Sequence, residues 1–381
     1  MSMLSWGLVI ATYNREKILP ECLKLAIGQT RPPSEIIVVD ASAHWEETRD
    51  RVLTDIVPIA PDLRWVYEGA VQRGLTHQRN QAIKLATADV VFLIDDDSLM
   101  YPTCAEEIMR VYEADEQGLV KGVQASLTEE PPSEVTIADQ RKQTGWSKDS
   151  STSDLRRWIW QQIFLMDIRQ LWIPYDDKLP KHSVPPTLAD LNVYPMAMFH
   201  GCRMTFRREA IAQVLFEPLL CFYAALEDAD ASYRVSRQGV LLEAPEAKLH
   251  HFNSGSGRLS RYQVSALSAL NQVACLKKHS TDLERDRRKF YRLMARRLLA
   301  ELLKDGLSRR WSLPQVRGLL AAWRQADRIF AIPKLAIDQW YPAFQRAFLA
   351  GEAIEAPSIE PLEPTASGRT ERSPAAPAKL G

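Results

Sequence analysis

The first 125 residues alternate between short runs of apolar, β-branched residues and segments with helical periodicity, and this alternation constrains the fold most. The apolar runs are residues 6–11, 35–40, 63–68, 89–95 and 119–125. The helical segments between them are residues 17–28, 46–57, 76–86 and 103–114. This alternation predicts an α/β fold with a doubly wound sheet of parallel strands covered by helices. Ligands of such sheets bind beyond the carboxyl ends of the strands, so the residues that follow each strand form the candidate site.

The rest of the chain divides by composition. Residues 128–195 are rich in proline, serine, tryptophan and mixed charge, which predicts long loops with one or two short helices. Regular patterning then resumes. We therefore predict a main domain over residues 1–260 with 128–195 as an insertion, a helical extension over 261–350, and a disordered tail over 351–381.

Composition excludes several classes of protein. The 381-residue chain carries 48 Lys and Arg against 48 Asp and Glu, so no net charge attracts it to nucleic acid. No apolar run approaches the ~20 residues that span a bilayer, and the opening segment is too short and too polar for a signal peptide. The five cysteines are scattered without a CxxC pair, which favours buried thiols and a reducing, cytoplasmic location.

The acidic triplet Asp95, Asp96 and Asp97 follows the apolar strand VVFLI directly. Three carboxylates at a strand end repel one another and resist desolvation, so a cation is the expected counter-charge. Oxygen ligands of this kind select Mg²⁺ or Mn²⁺, which keep open positions for phosphate oxygens. The alternative is a solvated acidic turn that caps the next helix.

Polar residues also follow the other predicted strands. Thr12, Tyr13 and Asn14 come after the first strand, where hydroxyl, amide and backbone N–H groups can meet a nucleotide. Neither GxGxxG nor GxxxxGK[ST] is present, which argues against dinucleotide cofactors and P-loop nucleotides. Asp40 ends the second strand and could accept from a base or ribose, although such a residue is more often a cap. Arg79, near a helix start, could bind a diphosphate or hold an aspartate, or be a surface arginine.

Taken in order, these segments resemble glycosyltransferase family 2. The matching segments are TYNR (12–15), Asp40, GLTHQRNQA (74–82), FLIDDD (92–97), HGCRMTFRREA (200–210) and LEDADASYR (226–234). The resemblance covers residues 6–252 and implies the GT-A fold, in which a DxD motif holds a divalent metal and the diphosphate of a sugar nucleotide. It does not cover residues 128–195 or the chain after Arg258.

The resemblance implies a metal site at the acidic triplet. Asp95 and Asp97 match the outer members of DxD, with Asp97 the more direct ligand of Mn²⁺ or Mg²⁺ and Asp95 directed towards the ribose and the metal's waters. Asp96 matches the variable middle position, within the donor site. A histidine completes the metal site in parts of the family, and we expect His250 rather than His251 in that role. Both histidines could instead be ordinary polar residues leaving the sheet.

The resemblance also implies a donor site. Asp40 matches the carboxylate that recognises the nucleobase, Thr12 and Tyr13 line its pocket, and Asn14 adjoins them. Arg79 lies near the diphosphate or the acidic cluster.

Asp228 matches the family's proposed catalytic base. A carboxylate opposite the leaving diphosphate would deprotonate the incoming hydroxyl in a single displacement that inverts the anomeric carbon. Helix capping is the alternative for Asp228, and both roles can hold together. Arg258, in a Gly/Ser-rich stretch after a strand predicted at residues 240–245, is expected to contact the diphosphate from a flap. Residues 128–195 are expected to face the acceptor.

We therefore predict a metal-dependent inverting glycosyltransferase that moves a sugar from a nucleotide-diphosphate donor to a hydroxyl acceptor, in polysaccharide or glycoconjugate synthesis. UDP-sugars are weakly preferred as donors. The alternatives are a nucleotidyltransferase of similar fold and a noncatalytic, membrane-associated assembly protein.

Residues 285–328 carry thirteen Lys and Arg against four Asp and Glu, interleaved with Leu, Trp and Phe. This composition suits the surface of an anionic membrane, and predicts peripheral contact with its inner face. A packed helical appendage or a dimer face with solvated arginines fits equally well. Nucleic acid is not expected as a partner, because no recognised binding motif accompanies the basic residues.

Overall fold

The computed structural model describes residues 3–133, 135, 164–165, 167–222, 224–252 and 259–352. Its strands are β1 Trp6–Thr12, β2 Glu35–Asp40, β3 Arg64–Gly69, β4 Val90–Ile94, β5 Ser98–Met100, β6 Val120–Thr128, β7 Tyr194–Pro195, β8 Arg203–Arg207 and β9 Val240–His251. Its α-helices are α1 Leu19–Ile27, α2 Trp45–Asp55, α3 Leu75–Leu85, α4 Cys104–Ala114, α5 Ile168–Leu171, α6 Arg208–Val214, α7 Glu227–Val235, α8 Arg261–His279, α9 Leu283–Leu307, α10 Pro314–Ala331 and α11 Ile337–Ala350.

The nine strands of the described residues form one mixed sheet, in the order β3-β2-β1-β4-β8-β6-β9-β5, with β7 paired to β9. The first four strands in this order are parallel, as the alternation of strands and helices predicts. β8 lies antiparallel between β4 and β6, so the fifth predicted strand keeps the common direction but does not pair with β4. The α/β class is confirmed, and β5 is a short strand that the sequence pattern did not indicate.

The central strands are buried on both faces, which explains why they are continuous apolar runs rather than alternating ones. Every residue of β2 and β4 is buried. One core lies on the side of α1 and α4, and a second lies on the side of α3 and α6. The helices thus cover both faces and leave the carboxyl ends of β1, β2 and β4 at one edge.

Four helices, α8 to α11, form the predicted extension, and they share a core with the sheet domain. Leu219, Leu220 and Tyr233 pack into the same apolar cluster as α8, α10 and α11. α10 crosses α8 closely at Gly318, where a Cβ would run into the carbonyl oxygen of Tyr262. Glu217, on the sheet side, accepts from Lys278 Nζ at 2.8 Å and lies 2.6 Å from His279 Nε2.

Several predictions fall wholly or partly outside the described residues. The predicted insertion contributes α5 and a 3-10 turn at Pro186–Leu188 to the structure, while residues 136–163 lie outside its description. The predicted tail is described only at residues 351 and 352.

All five cysteines are buried and unpaired, as expected. No helix among the described residues is long and apolar enough to cross a bilayer.

Candidate active site

Asp95, Asp97 and His251 come together where β4 ends and the following short strand, β5, pairs with the end of β9. One ligand atom from each lies within 4.8 Å of the others, an arrangement that could hold a metal ion. His251 Nε2 is 3.1 Å from Asp97 Oδ1 and 3.7 Å from Asp95 Oδ2. Burial opposes a charged imidazole here, yet the hydrogen bond to Asp97 raises the pKa of His251 to about 10. A bound divalent cation would take the place of that proton.

His250, the residue preferred from the sequence, lies outside this group. β9 runs on to His251 instead of ending near Pro245, and neighbouring residues of a strand point to opposite faces. His250 therefore points away from the aspartates, and its Nδ1 lies 3.1 Å from the carbonyl oxygen of Thr128. Burial lowers the pKa of His250, which favours a neutral imidazole.

Asp96 has different partners from its two neighbours. Its Oδ2 accepts a 2.6 Å hydrogen bond from Thr12 Oγ1, and its Oδ1 lies 3.8 Å from Arg15 Nε. Burial and the repulsion of Asp97 outweigh these contacts and raise the pKa of Asp96 to about 7. Thr12 thus ties the end of β1 to the acidic triplet, and Arg15, not singled out from the sequence, lies beside it.

Arg79 joins the acidic triplet to α7. The residue is 1% exposed, and it donates from Nη2 to Asp95 at 2.9 Å and from Nη1 to Glu227 at 2.6 Å. Nη2 also donates to the carbonyl oxygen of Gly201 at 3.1 Å. The sequence analysis expected Arg79 near either the diphosphate or the acidic cluster. The structure places it beside the acidic cluster. Burial and the charge of Asp228 raise the pKa of Glu227 to about 8, although Arg79 opposes this.

Asp228 lies in the first turn of α7, directly after Glu227. Its Oδ2 accepts from the backbone N–H of Gly201 at 2.9 Å, and its Oδ1 accepts from the N–H of Ala229 at 2.8 Å. The side chain is partly exposed, and each carboxylate oxygen retains further acceptor capacity. Asp228 thus accepts from an N–H of the first helical turn and still offers an oxygen to a proton donor.

The carboxylate at the end of β2 is held by three donors. Asp40 is 2% exposed, and its Oδ1 accepts from the N–H and hydroxyl of Ser42. Its Oδ2 accepts from the hydroxyl of Tyr67 at 2.7 Å. The N–H of Asn14, which has a left-handed φ of 53°, donates to the Ser42 hydroxyl at 2.8 Å. These contacts link the turn after β1 to the end of β2.

The ring of Tyr13 makes a cation–π contact with Arg73. The guanidinium carbon of Arg73 is 3.9 Å from the centre of its ring, a short cation–π contact beside the turn after β1. Arg258 lies outside the described residues.

Residues 8–161 match the profile of glycosyl transferase family 2, as the resemblance of the sequence predicts. The glucosyl-dolichyl phosphate glucuronosyltransferase of Haloferax volcanii is 32% identical over 119 residues, 30% of this chain and 36% of its own length. The hyaluronan synthase of Streptococcus pyogenes is 31% identical over 108 residues, 27% of this chain and 26% of its own length. The chain thus matches about a third or less of each of these relatives.

The crystal structure of GalNAc-T7 with UDP, GalNAc and Mn²⁺ is similar in fold, with a TM-score of 0.50 at 15% identity. The match covers 73% of this chain and 48% of that one. The expectation of a GT-A fold is therefore confirmed.

Proposed function

We propose that this chain is a metal-dependent inverting glycosyltransferase that moves a sugar from a nucleotide-diphosphate donor to a hydroxyl acceptor. The observation that carries this proposal is the connected site itself. A candidate metal group formed by Asp95, Asp97 and His251 is joined through Arg79 and Glu227 to the α7 turn bearing Asp228. The names of the two relatives, both of which describe enzymes that handle sugars, support the assignment.

Two carboxylates and an imidazole suit Mn²⁺, and carboxylates alone suit Mg²⁺. Asp97 and His251 would hold the ion together with Asp95, whose other oxygen is fixed by Arg79. Such an ion would neutralise the charge that develops on the leaving diphosphate. Since His250 is bonded to the backbone elsewhere, His251 replaces it in the ligand set that we propose.

Asp228 is the proposed base that takes the proton of the acceptor hydroxyl. The N–H groups of Gly201 and Ala229 orient its two oxygens, and partial exposure leaves it accessible to an acceptor. Attack from this side, opposite the leaving group, gives inversion. The acceptor belongs to polysaccharide or glycoconjugate synthesis in this proposal, and residues 128–195 contribute to its selection.

The nucleobase pocket that we propose lies at the ends of β1 and β2. Asp40 retains acceptor capacity beyond its three protein donors, enough for a ring N–H such as that of uracil. Tyr13 and Asn14 lie on the turn that borders it. UDP-sugars are therefore the first donors to test.

The decisive experiment compares Asp228→Asn with the wild type and with Asp62→Asn, an exposed residue in the loop before β3. The wild type with Mn²⁺ should release a nucleoside diphosphate, whereas release of pyrophosphate would indicate a nucleotidyltransferase. Asp228→Asn should keep donor affinity and lose roughly 10²–10⁴-fold in kcat. Absence of turnover with every nucleotide sugar would favour the noncatalytic assembly protein instead.

We also propose that the chain works in the cytoplasm at an anionic membrane face, through a leucine surface at the end of α9. This surface consists of Leu299, Leu302, Leu303, Leu307 and Trp311, all exposed, with Leu307 68% and Trp311 77% accessible. Arg292 and Arg296 are exposed on the same helical face. Exposed apolar residues flanked by arginines suit an interface of lipid headgroups.

Liposome flotation tests the membrane proposal. Vesicles with anionic lipid should recover the wild type in a salt-sensitive manner, and neutral vesicles should recover little. Trp311→Ser with Leu307→Ser should reduce recovery, whereas Leu335→Ser, an 88% exposed leucine away from the surface, should not. Equal recovery by neutral and anionic vesicles would contradict the electrostatic part.

A further inference from the structure

The segment between α6 and α7 leads directly to the helix that carries the proposed base, Asp228. The sheet domain holds only the first half of this segment. The described residues of this α6–α7 segment are 215–222 and 224–226. Asn80, on α3, exchanges two hydrogen bonds with the backbone of Phe216, at 2.7 and 2.8 Å. The hydroxyl of Thr76 donates to the carbonyl oxygen of Leu220 at 3.0 Å. These two α3 residues therefore fix the start of the segment but not the turn that enters α7.

The helical extension holds the second half. Asn271, on α8, donates from Nδ2 to the carbonyl oxygen of Ala225 at 3.0 Å. Its Oδ1 accepts from the hydroxyl of Tyr341 and from Nε2 of Gln345, both on α11 and both at 2.7 Å. All three side chains are fully buried. Because two donors converge on Oδ1, the amide of Asn271 must present its N–H₂ to Ala225.

This contact falls on a strained turn. Leu226 has a left-handed φ of 76°, a conformation that side chains other than glycine rarely adopt and that surrounding contacts must maintain. The carbonyl of Ala225 and the N–H of Leu226 belong to one planar peptide unit. A hydrogen bond that fixes this carbonyl therefore fixes the plane relative to which φ of Leu226 is defined. Glu227 and Asp228 follow immediately.

We propose that Asn271, oriented by Tyr341 and Gln345, is a positioning residue for catalysis. It holds the Leu226 turn and thereby directs Asp228 towards the acceptor. The helical extension is then a working part of the site. This inference rests on the proposed function, since it assumes that Asp228 is the base.

The first test is Asn271→Asp, which keeps the shape of the side chain but cannot donate to Ala225. We expect kcat, normalised to donor-binding sites, to fall roughly ten- to hundredfold, because small misplacements of a reacting group are costly. Donor affinity and donor KM should stay within about twofold. The reason is that the proposed metal ligands Asp97 and His251 contact each other and not the α6–α7 segment that Asn271 holds. The matched amide-to-acid control is Gln325→Glu on α10, whose partly exposed side chain accepts from Arg328 at 3.1 Å. Unchanged kcat in a folded Asn271→Asp would overturn the proposal.

A milder variant tests the positioning role if Asn271→Asp does not fold. Tyr341→Phe removes only the hydroxyl that donates to Asn271, and should lower kcat with donor KM unchanged. Tyr291→Phe, which loses a hydroxyl bonded to Asp327 on the surface of the same extension, is its control. Equal kcat for both phenylalanine variants would overturn the positioning role.

A double variant separates positioning from general damage. If Asn271 acts through Asp228, adding Asn271→Asp to Asp228→Asn should cause no further loss of kcat, whereas independent effects would multiply and contradict the proposal. Hydrogen exchange of the amides of residues 224–228 gives a readout that needs no turnover. Exchange there should be faster in Asn271→Asp than in the wild type, and an unchanged rate would reject the positioning role. A wild type without turnover would instead refute the proposed function.

Discussion

Two regions of this chain, one around Glu217 and one at the edge of the sheet, differ in how the charge of their carboxylates is balanced. Glu217 is enclosed by Lys278 and His279, and although burial opposes ionisation, these partners lower the pKa of Glu217 to about 2. The edge cluster comprises Asp95, Asp96, Asp97, Glu227 and Asp228. The cationic partners recorded for its members are Arg15, Arg79 and His251.

The difference separates a contact that stabilises the fold from a site that a bound cation could complete. Around Glu217 the protein supplies the whole counter-charge. In the edge cluster, burial and mutual repulsion raise the pKa of Asp96 to about 7 and that of Glu227 to about 8. A divalent cation would complete the balance there. Removal of a carboxylate should therefore cost less stability in the edge cluster than at Glu217.

The largest effect is expected for Asp97→Asn. Transfer should fall by at least about 10³-fold, roughly 4 kcal/mol of transition-state stabilisation, because the proposed metal loses a ligand. Without metal, the variant should lose less stability than Glu217→Gln does, since relief of the repulsion among the crowded carboxylates offsets the lost contact with His251. Calorimetry of donor and Mn²⁺ binding, with thermal melting without metal, tests both statements. Undiminished binding in the folded variant would reject Asp97 as a ligand.

Glu217→Gln should do the reverse, leaving the chemistry intact while destabilising the fold. The folded pKa is lowered from 4.5 to about 2, which corresponds to about 3 kcal/mol of stability at pH 7. That contribution is complete above pH 4.5 and is lost as the pH falls towards 2. Urea unfolding should therefore show a difference from the wild type that shrinks over this interval. Glu209→Gln, which removes a surface pair with Lys121, should change little.

The smallest effect distinguishes the two neighbouring histidines. His251→Ala should weaken Mn²⁺ affinity roughly tenfold, about 1.4 kcal/mol, whereas His250→Ala should leave it within about twofold. Titration of Mn²⁺ in the absence of donor measures both. The opposite ranking would restore His250 as the ligand.

The local parts of this structure were predictable and the long-range parts were not. The apolar runs of β1, β2 and β4 were predicted to within a residue or two, because continuous burial leaves a plain signal in the sequence. The insertion of β8 between β4 and β6 has no such signal, since strand order depends on contacts distant in sequence.

The candidate site divides in the same way. The acidic triplet stood out as charges at the end of a strand, where chemistry is expected, and Asp228 was marked by the resemblance to glycosyltransferase family 2. The preference for His250 failed to anticipate the geometry because alternation along β9 depends on where pairing stops, and β5 extends that pairing to His251. Nothing marked Asn271 or Glu217 in the sequence, because each has its main partners on other elements.

Arg79 links the two parts of this site, the end of β4 and the start of α7, so a redesign cannot change one of them alone. Its two nitrogen atoms reach the end of β4 and the start of α7 at once, a span that the single ammonium of a lysine cannot reproduce. A replacement for α7 would have to bring a carboxylate to the place of Glu227, because Arg79 would otherwise lose one of the two partners that hold it against Asp95.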